Sequence, residues 1–283
     1  MKTLDNHNTL CYNMGTKRDG VYMLDIIKEA DAIIITAGAG MGVDSGLPDF
    51  RGDAGMWKAY PALGEKKISF SSIANPAAFA NNPELAWAFY GHRYDLYKST
   101  VPHEGFQMLL DLCKEKDHFV VTSNVDGQFQ KAGFSEDKVY EIHGRIHTFQ
   151  CTNCNAVWQP DLEGFGVDPN TLEFTSEMPK CDCGSLARPN IMMFGDYGYN
   201  SEISSKQEDK FNDFMHKHDK GNKIVIIEIG AGTAIPSIRH MGEFISEKVD
   251  GATLVRINPR EAFGPEGTIS VEKGGVEGLK EIL

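Results

Sequence analysis

Four of the six cysteines fall in two close pairs, Cys151-Thr-Asn-Cys154 and Cys181-Asp-Cys183, with 26 residues (155–180) between them. Two thiolate pairs joined by a loop form the donor pattern of a structural zinc tetrahedron. The second pair encloses one residue instead of two, which tightens that knuckle but still suits tetrahedral sulfur. With cysteine at all four positions, the spacing predicts a closed metal site with no open position for catalysis. A redox-active Cys-x-x-Cys is the rival reading, but it calls for a strand-to-helix context that Cys151 lacks. Cys11 and Cys113 read as plain thiols, Cys113 on an apolar helix face.

A second set of chemical residues appears wherever an apolar run stops. Ala32–Ile35 leads into Gly38-Ala39-Gly40-Met41-Gly42. Glycines there let backbone N–H groups approach a phosphate and open a helix whose N-terminus favours anions, although a plain turn uses them too. The spacing is Gly-x-Gly-x-Gly, Val43 stands where a third fingerprint glycine belongs, and Lys58 stands where an acid would hold a ribose. An ordinary nicotinamide dehydrogenase is therefore disfavoured. The next loop places Asp49, Phe50 and Arg51 side by side. Arg can clamp a phosphate and Phe can shield a reacting centre; a solvated loop with one buried Phe is the plainer alternative. Phe119–Thr122 runs into Ser123-Asn124-Val125-Asp126-Gly127. Asn124 and Asp126 share a face if the strand continues, or form an Asx turn if it does not. His143, between Ile142 and Gly144, has a side chain that titrates near working pH, though an isolated His in such a setting also suits a core. Ile224–Ile229 ends in Gly230-Ala231-Gly232-Thr233, and Thr253–Ile257 ends in Asn258-Pro259-Arg260. Four strand ends carrying ligand-type residues are stronger evidence together than any one alone.

The elements that must position these residues alternate between helix and strand. Val21, Leu24, Ile27 and Ala30 have helical spacing up to Asp31, and Phe106, Leu109, Leu110 and Cys113 mark another helix. Buried strands linked by helices imply an α/β fold, a Rossmann-like parallel sheet covered on both faces. Two segments break the pattern: 59–103, with Phe79, Trp87, Phe89, Tyr90, Tyr94 and Tyr97, and 148–189, with the cysteines. Both are expected to form a smaller helical and zinc-binding lobe, inserted into a discontinuous domain of 1–58, 104–147 and 190–283. With 283 residues the chain can bury a large core without disulfides. Lys plus Arg number 28 against 40 Asp plus Glu, a formal charge of −12, which argues against nucleic acid as a partner. No apolar stretch is long enough to span a membrane, and the N-terminus lacks an apolar signal region, so a cytoplasmic protein without a membrane partner is expected, a monomer or weak oligomer.

Taken together, these residues resemble the sirtuin family over nearly the whole chain, from about residue 20 onward. The resemblance rests on Gly38-Ala39-Gly40, Ser45-Gly46-Leu47-Pro48-Asp49-Phe50-Arg51-Gly52, Asn124-Val125-Asp126-Gly127, Ile142-His143-Gly144 before the first cysteine pair, and Arg188-Pro189 with Phe194-Gly195-Asp196. It implies NAD⁺ as a consumed co-substrate and an acylated protein lysine as substrate, the acyl group passing to ADP-ribose as nicotinamide leaves. It implies pyrophosphate contacts from Gly38, Ala39, Gly40 and Arg51, with Met41 and Asp49 beside them, and a Phe50 cover over the ribose. It further implies that Asn124 orients ribose hydroxyls or a water, that Asp126 meets the nicotinamide amide, with Ser123 and Gly230 close by, and that His143 is the general base. Gly232, Thr233 and Asn258, with Pro259 and Arg260, would hold the adenosine side. The chain departs from the family pattern at Gly42, Ser123 and Ala234, where Ser, Gln and Ser are usual; the first two leave room for ADP-ribosyl transfer to a protein, or for NAD hydrolysis. Tyr90 and Arg93, in Phe89-Tyr90-Gly91-His92-Arg93, resemble the pair with which the desuccinylating branch binds an acyl carboxylate. At i, i+3 they share a helix face, where Arg offers a fork and Tyr a hydroxyl; a surface Arg on a core aromatic is the alternative.

Overall fold

The computed structural model describes residues 19–49, 52–218 and 220–283; Cys11, Phe50 and Arg51 lie outside them. The strands, in chain order, are β1 Ala32–Ala37, β2 Asp117–Thr122, β3 Val139–Glu141, β4 Gly144–Cys151, β5 Val157–Trp158, β6 Ala187–Ile191, β7 Ile224–Ile229, β8 Ala252–Ile257 and β9 Ile269–Val271. The helices are α1 Asp19–Glu29, α2 Gly52–Ala59, α3 Pro61–Glu65, α4 Phe70–Ile73, α5 Pro76–Asn81, α6 Pro83–Ser99, α7 Glu104–Leu112, α8 Gln128–Lys131, α9 Glu202–His218, α10 Ser237–Lys248 and α11 Gly275–Ile282.

Six strands form an all-parallel sheet in the order β3-β2-β1-β7-β8-β9. The connections reverse direction between β1 and β7, so the crevice for a ligand lies at their carboxyl ends. Both faces are buried, which is why the strands read as continuous apolar runs. Ile33, Ile35, Val225, Ile227 and Val255 pack with Ile27, Phe106 and Leu279 on one face. Ile34, Phe119, Ile226 and Leu254 pack with Phe211, Phe214 and Ile245 on the other. β1, β2, β7 and β8 contain the four expected runs; the edge strands β3 and β9 have three residues each, too few to carry a period.

One polar row crosses this sheet. Thr36, Glu228 and Arg256 are neighbours in register, and Arg256 Nε donates to Glu228 Oε1 at 2.5 Å with both side chains fully buried. Glu243 of α10 adds a second carboxylate at 2.9 Å from Arg256 Nη1. The pair lies just below the carboxyl ends of β7 and β8, bracing the two strands whose following loops shape the crevice.

A third apolar cluster joins the helices between β1 and β2 to an antiparallel sheet of order β5-β4-β6. Trp87 of α6 packs edge-on to Phe149 of β4 and donates from Nε1 to the Ala187 carbonyl at 3.0 Å. The Asn-Pro pairs start the helices here: the Asn75 and Asn82 side chains accept from Ala77 N and Leu85 N, and each proline fits the first helical turn. The expected boundaries at 147/148 and 189/190 fall inside paired strands. β4 pairs with β6 from Gly144↔Ile191 to Cys151↔Ala187, with a register shift between Arg145 and Phe149.

Candidate functional site

At the β1/β7 crevice two loops touch through their backbones. Gly38 N donates to the Ile229 carbonyl and Gly40 N to the Gly230 carbonyl, each at 3.0 Å. A Cβ on Gly38 would lie 2.7 Å from the Gly230 oxygen, and one on Gly40 only 2.6 Å from Gly230 Cα. A Cβ on Gly230 would lie 2.4 Å from the Gly40 backbone, at a φ of +64°. The glycines thus permit the contact between loops as well as a close approach to a ligand. The helix that follows is a seven-residue 3₁₀ segment, Ala39–Ser45, with Met41 and Gly42 buried beneath.

The loop after β2 is hung on β1. Thr122 Oγ1 donates to the Ala37 carbonyl, Asn124 N donates to Thr122 Oγ1, and Asn124 Nδ2 donates to the Gly38 carbonyl at 3.0 Å. The strand ends at Thr122, so the alternation expected through Asp126 does not continue. Asp126 instead forms the Asx turn, its Oδ1 accepting from Gln128 N at 2.9 Å. His143 stands immediately before β4; its backbone carbonyl accepts from Met192 N at 2.9 Å, and Ile146 N donates to the Val125 carbonyl. These bonds bring the β2 loop, β4 and β6 together around one space.

That space is a cavity of about 300 Å³. Gly38, Ala39, Gly40, Ser123, Asn124, Asp126, His143, Gly230 and Gly232 line it, and so do Tyr90 and Arg93 from α6. Four strand-end segments and one helix therefore converge on a single site. Of the other predicted residues that the structure describes, none lines it. Met41 is buried beneath the turn, and Asp49 is half-buried away from the wall. Asn258 lies behind: its Nδ2 donates to the Ala231 carbonyl, and its Oδ1 accepts from Arg260 N and Glu261 N. Pro259 and Arg260 belong to that exposed turn. Thr233 is held through its N–H and hydroxyl by Glu261. An acid thus does reach the loop after β7, though it comes from beyond β8 rather than from the position tested after β1. Apolar groups not anticipated, among them Leu47, Phe70, Val125, Met193 and Phe194, complete the wall. Phe70 meets Phe194 edge-on at 5.7 Å, and the buried ion pair of Arg188 with Asp196 (2.6 and 3.0 Å) secures the turn that presents Phe194.

The electrostatics suit proton transfer. Burial pushes His143 below its ordinary pKa, partly offset by a hydrogen bond with the Ser123 backbone, so the ring is neutral and basic near pH 7. Arg93 is buried against the rings of Phe89, Tyr90 and Tyr97 at 5.3–5.5 Å, and its Nε and Nη2 donate to the Tyr97 hydroxyl at 3.1 and 2.9 Å. Tyr97 also lines the cavity; the i, i+3, i+7 spacing of Tyr90, Arg93 and Tyr97 was the signal for it. Burial raises the Tyr90 phenol to about 12, so it remains a donor.

Burial also raises the Asp126 carboxyl from 3.8 to about 6, against the opposing pull of the Gln128 N–H and Arg93. The folded protein therefore favours protonated Asp126, and the stability this contributes at low pH is lost as pH rises through about 6. Asp126→Asn keeps an acceptor for Gln128 and removes that cost. It should leave Tm nearly unchanged at pH 4 and raise it at pH 8, with a ceiling of about 3 kcal/mol for roughly two pKa units. Paired thermal scans at the two pH values check this; an equal difference at both would refute it.

The four cysteines form a separate centre at the far end of β4. Their Sγ atoms all lie within 4.8 Å of one another, with Cys151–Cys183 at 3.5 Å and Cys154–Cys181 at 3.6 Å. Sulfurs at 2.3 Å from a tetrahedral zinc would be about 3.8 Å apart, so the donor set and spacing fit that ion. Cys113 is remote and buried, its thiol raised to about 12 by desolvation.

Residues 38–235 match the model of the Sir2 family. An NAD-dependent protein deacylase of Daphnia pulex is 32% identical over 207 residues, covering 66% of this chain and 71% of that protein. The mitochondrial NAD-dependent protein deacylase sirtuin-5 of Canis lupus familiaris is 32% identical over 190 residues, covering 60% and 58%. A solved complex of a Sir2 homologue with NAD superposes with a TM-score of 0.70 at 26% identity, covering 93% of this chain and 91% of the other.

Proposed function

The chain belongs to the Sir2 family, and from that premise we propose that it is an NAD-dependent protein-lysine deacylase. The observation that carries this reading is the convergence of His143, Asn124, Asp126 and the glycine turns on one cavity. NAD⁺ supplies ADP-ribose as the acyl acceptor and nicotinamide as the leaving group. Gly38, Ala39, Gly40 and Met41 offer backbone to the pyrophosphate, with Asp49, Phe50 and Arg51 assigned from the motif alone. Asn124, fixed by its bond to the Gly38 carbonyl, orients ribose hydroxyls or a water. Asp126 accepts from the nicotinamide amide. His143, neutral by burial, takes a proton from a ribose hydroxyl. The apolar wall of Val125, Ile191, Met193 and Phe194 keeps water from competing with the acyl oxygen. Thr233 and Asn258, with Gly232, Pro259 and Arg260, serve the adenosine side. Cys151, Cys154, Cys181 and Cys183 hold a structural zinc. The division into a domain of 1–58, 104–147 and 190–283 with inserted lobes 59–103 and 148–189 belongs to the same proposal.

We further propose that acidic acyl groups such as succinyl are favoured, since Tyr90 and Arg93 line the cavity together. A charge-assisted hydrogen bond contributes about 1.5–3 kcal/mol, roughly 10- to 150-fold in rate. Arg93→Met should lower kcat/KM on succinyl-lysine peptide by that factor and on acetyl-lysine peptide by less than about threefold. Equal losses on both peptides would remove Arg93 as the acyl reader.

The alternative is ADP-ribosyl transfer to a protein, or hydrolysis of NAD. Two departures from the family pattern favour keeping it in view: Ser123 lines the cavity, and Gly42 abuts Leu47, which lines it too. Mass spectrometry of one panel separates the readings. The protein is mixed with NAD⁺ and acetyl-, succinyl- or lipoyl-lysine peptides, with a peptide-free control and a lysate. Acyl loss with nicotinamide release is the expected result. ADP-ribose on a lysate protein with no acyl loss would replace the deacylase reading, and free ADP-ribose alone would mark a hydrolase.

A further inference from the structure

Behind Asp126 lies a second cavity, of about 460 Å³ and open to solvent. Tyr97 and Asp126 line both cavities, and among the described residues no other does. The rear space is a product of how β4 is built. Its pairing with β6 shifts register between Arg145 and Phe149, and such a bulge re-aims side chains. His143 borders the front cavity, whereas His147, within the bulge, borders the rear one. The outer wall is the irregular segment 159–162, held by Tyr94 and Lys98, which both donate to the Leu162 carbonyl.

The formal charges around this space balance, Lys98 and Lys131 against Asp126 and Asp161. Burial depresses His147 to about 4, so the ring carries no charge, and it stacks edge-on with Tyr94 at 4.7 Å. Lys98 and Lys131 each donate to two backbone carbonyls, which fix the ammonium groups in place. Aromatic edges, an imidazole and carbonyls suit a flat, neutral, amide-bearing ligand better than an anion.

We infer that the rear cavity is a second binding and passage site for a neutral aromatic carboxamide, reached past Tyr97 and Asp126. The inference rests on the deacylase reading, in which that ligand is the released nicotinamide. On that reading the leaving base is set free at Asp126, while ADP-ribose and the acyl-lysine still fill the front. The rear cavity offers a route that does not require them to leave first.

The test loads the protein with ADP-ribose and deacylated peptide and follows nicotinamide binding by saturation-transfer NMR. Gln159→Trp with Asp161→Trp narrows the mouth at two exposed positions outside the catalytic set, and Asp161→Ala serves as control. The loaded wild type and control should still bind nicotinamide, and the double variant should associate at least tenfold more slowly, while unloaded forms bind alike. If the loaded wild type excludes nicotinamide, or the double variant matches it, the rear route is wrong. If the wild type fails to take up ADP-ribose at all, the deacylase reading falls, and this inference falls with it.

Discussion

His143→Ala should abolish deacylation and leave the fold standing. A positioned general base contributes about 10²- to 10⁴-fold, and among the described residues no other imidazole lines the front cavity. The backbone bonds that fix this position, from Met192 N to the His143 carbonyl and from Ile146 N to the Val125 carbonyl, survive the substitution. The loss should therefore appear in kcat with little change in circular dichroism. Because burial lowers the His143 pKa, the wild type should retain its base at pH values where a free imidazole is already protonated. Nicotinamide-releasing turnover at the wild-type rate in His143→Ala would remove this residue from the mechanism.

The second large effect is expected at the cysteine centre. Structural zinc contributes an apparent 10–16 kcal/mol in small zinc-binding peptides, comparable with the whole stability of a typical domain, about 5–15 kcal/mol. Here the ion would tie Cys151, the last residue of β4, to the segment that leads into β6. Without it, the β5-β4-β6 sheet rests on its strand pairing and on the apolar cluster around Trp87 and Phe149, with nothing to tie the two cysteine turns together. Cys183→Ser, or a strong chelator, should lower Tm by more than 10 °C and abolish activity, although none of these four cysteines lines the cavity. Metal analysis should find one zinc per chain before treatment. A metal-free protein with unchanged Tm and turnover would show that the cysteines do not hold a structural ion.

Much of this architecture could be read from residue order because the parallel strands are buried on both faces. Ala32–Ile35 is apolar at every position and Ile224–Ile229 at every position but Glu228, a run that marks a strand covered on both sides. The cysteine pairs were legible for a different reason: tetrahedral sulfur leaves few spacings open. Sequence pattern failed where a residue's role depends on a partner distant in the chain. Glu261 meets Thr233 only because β7 and β8 are adjacent. His147 looks like one more polar residue of a strand until the bulge in β4 sets its direction. Phe70 and Phe194 are about 120 residues apart, and their edge-on contact forms only when α4 meets the turn after β6. The 3₁₀ segment after Gly38 is another case, since glycine-rich turns before α- and 3₁₀-helices share one composition.

The backbone contact of Gly38 and Gly40 with Gly230 bears on suppressor genetics. A bulky side chain in a core can be accommodated by trimming its neighbour. Here the atom a new methyl would strike is a carbonyl oxygen or an α-carbon, which every amino acid carries. No substitution elsewhere can shrink the obstacle, so a screen for second-site revertants of Gly40→Ala should return true revertants and almost nothing else. Positions 38, 40 and 230 will then show no compensating pairs however many relatives are aligned, and methods that find contacts through covariation will be blind to this junction.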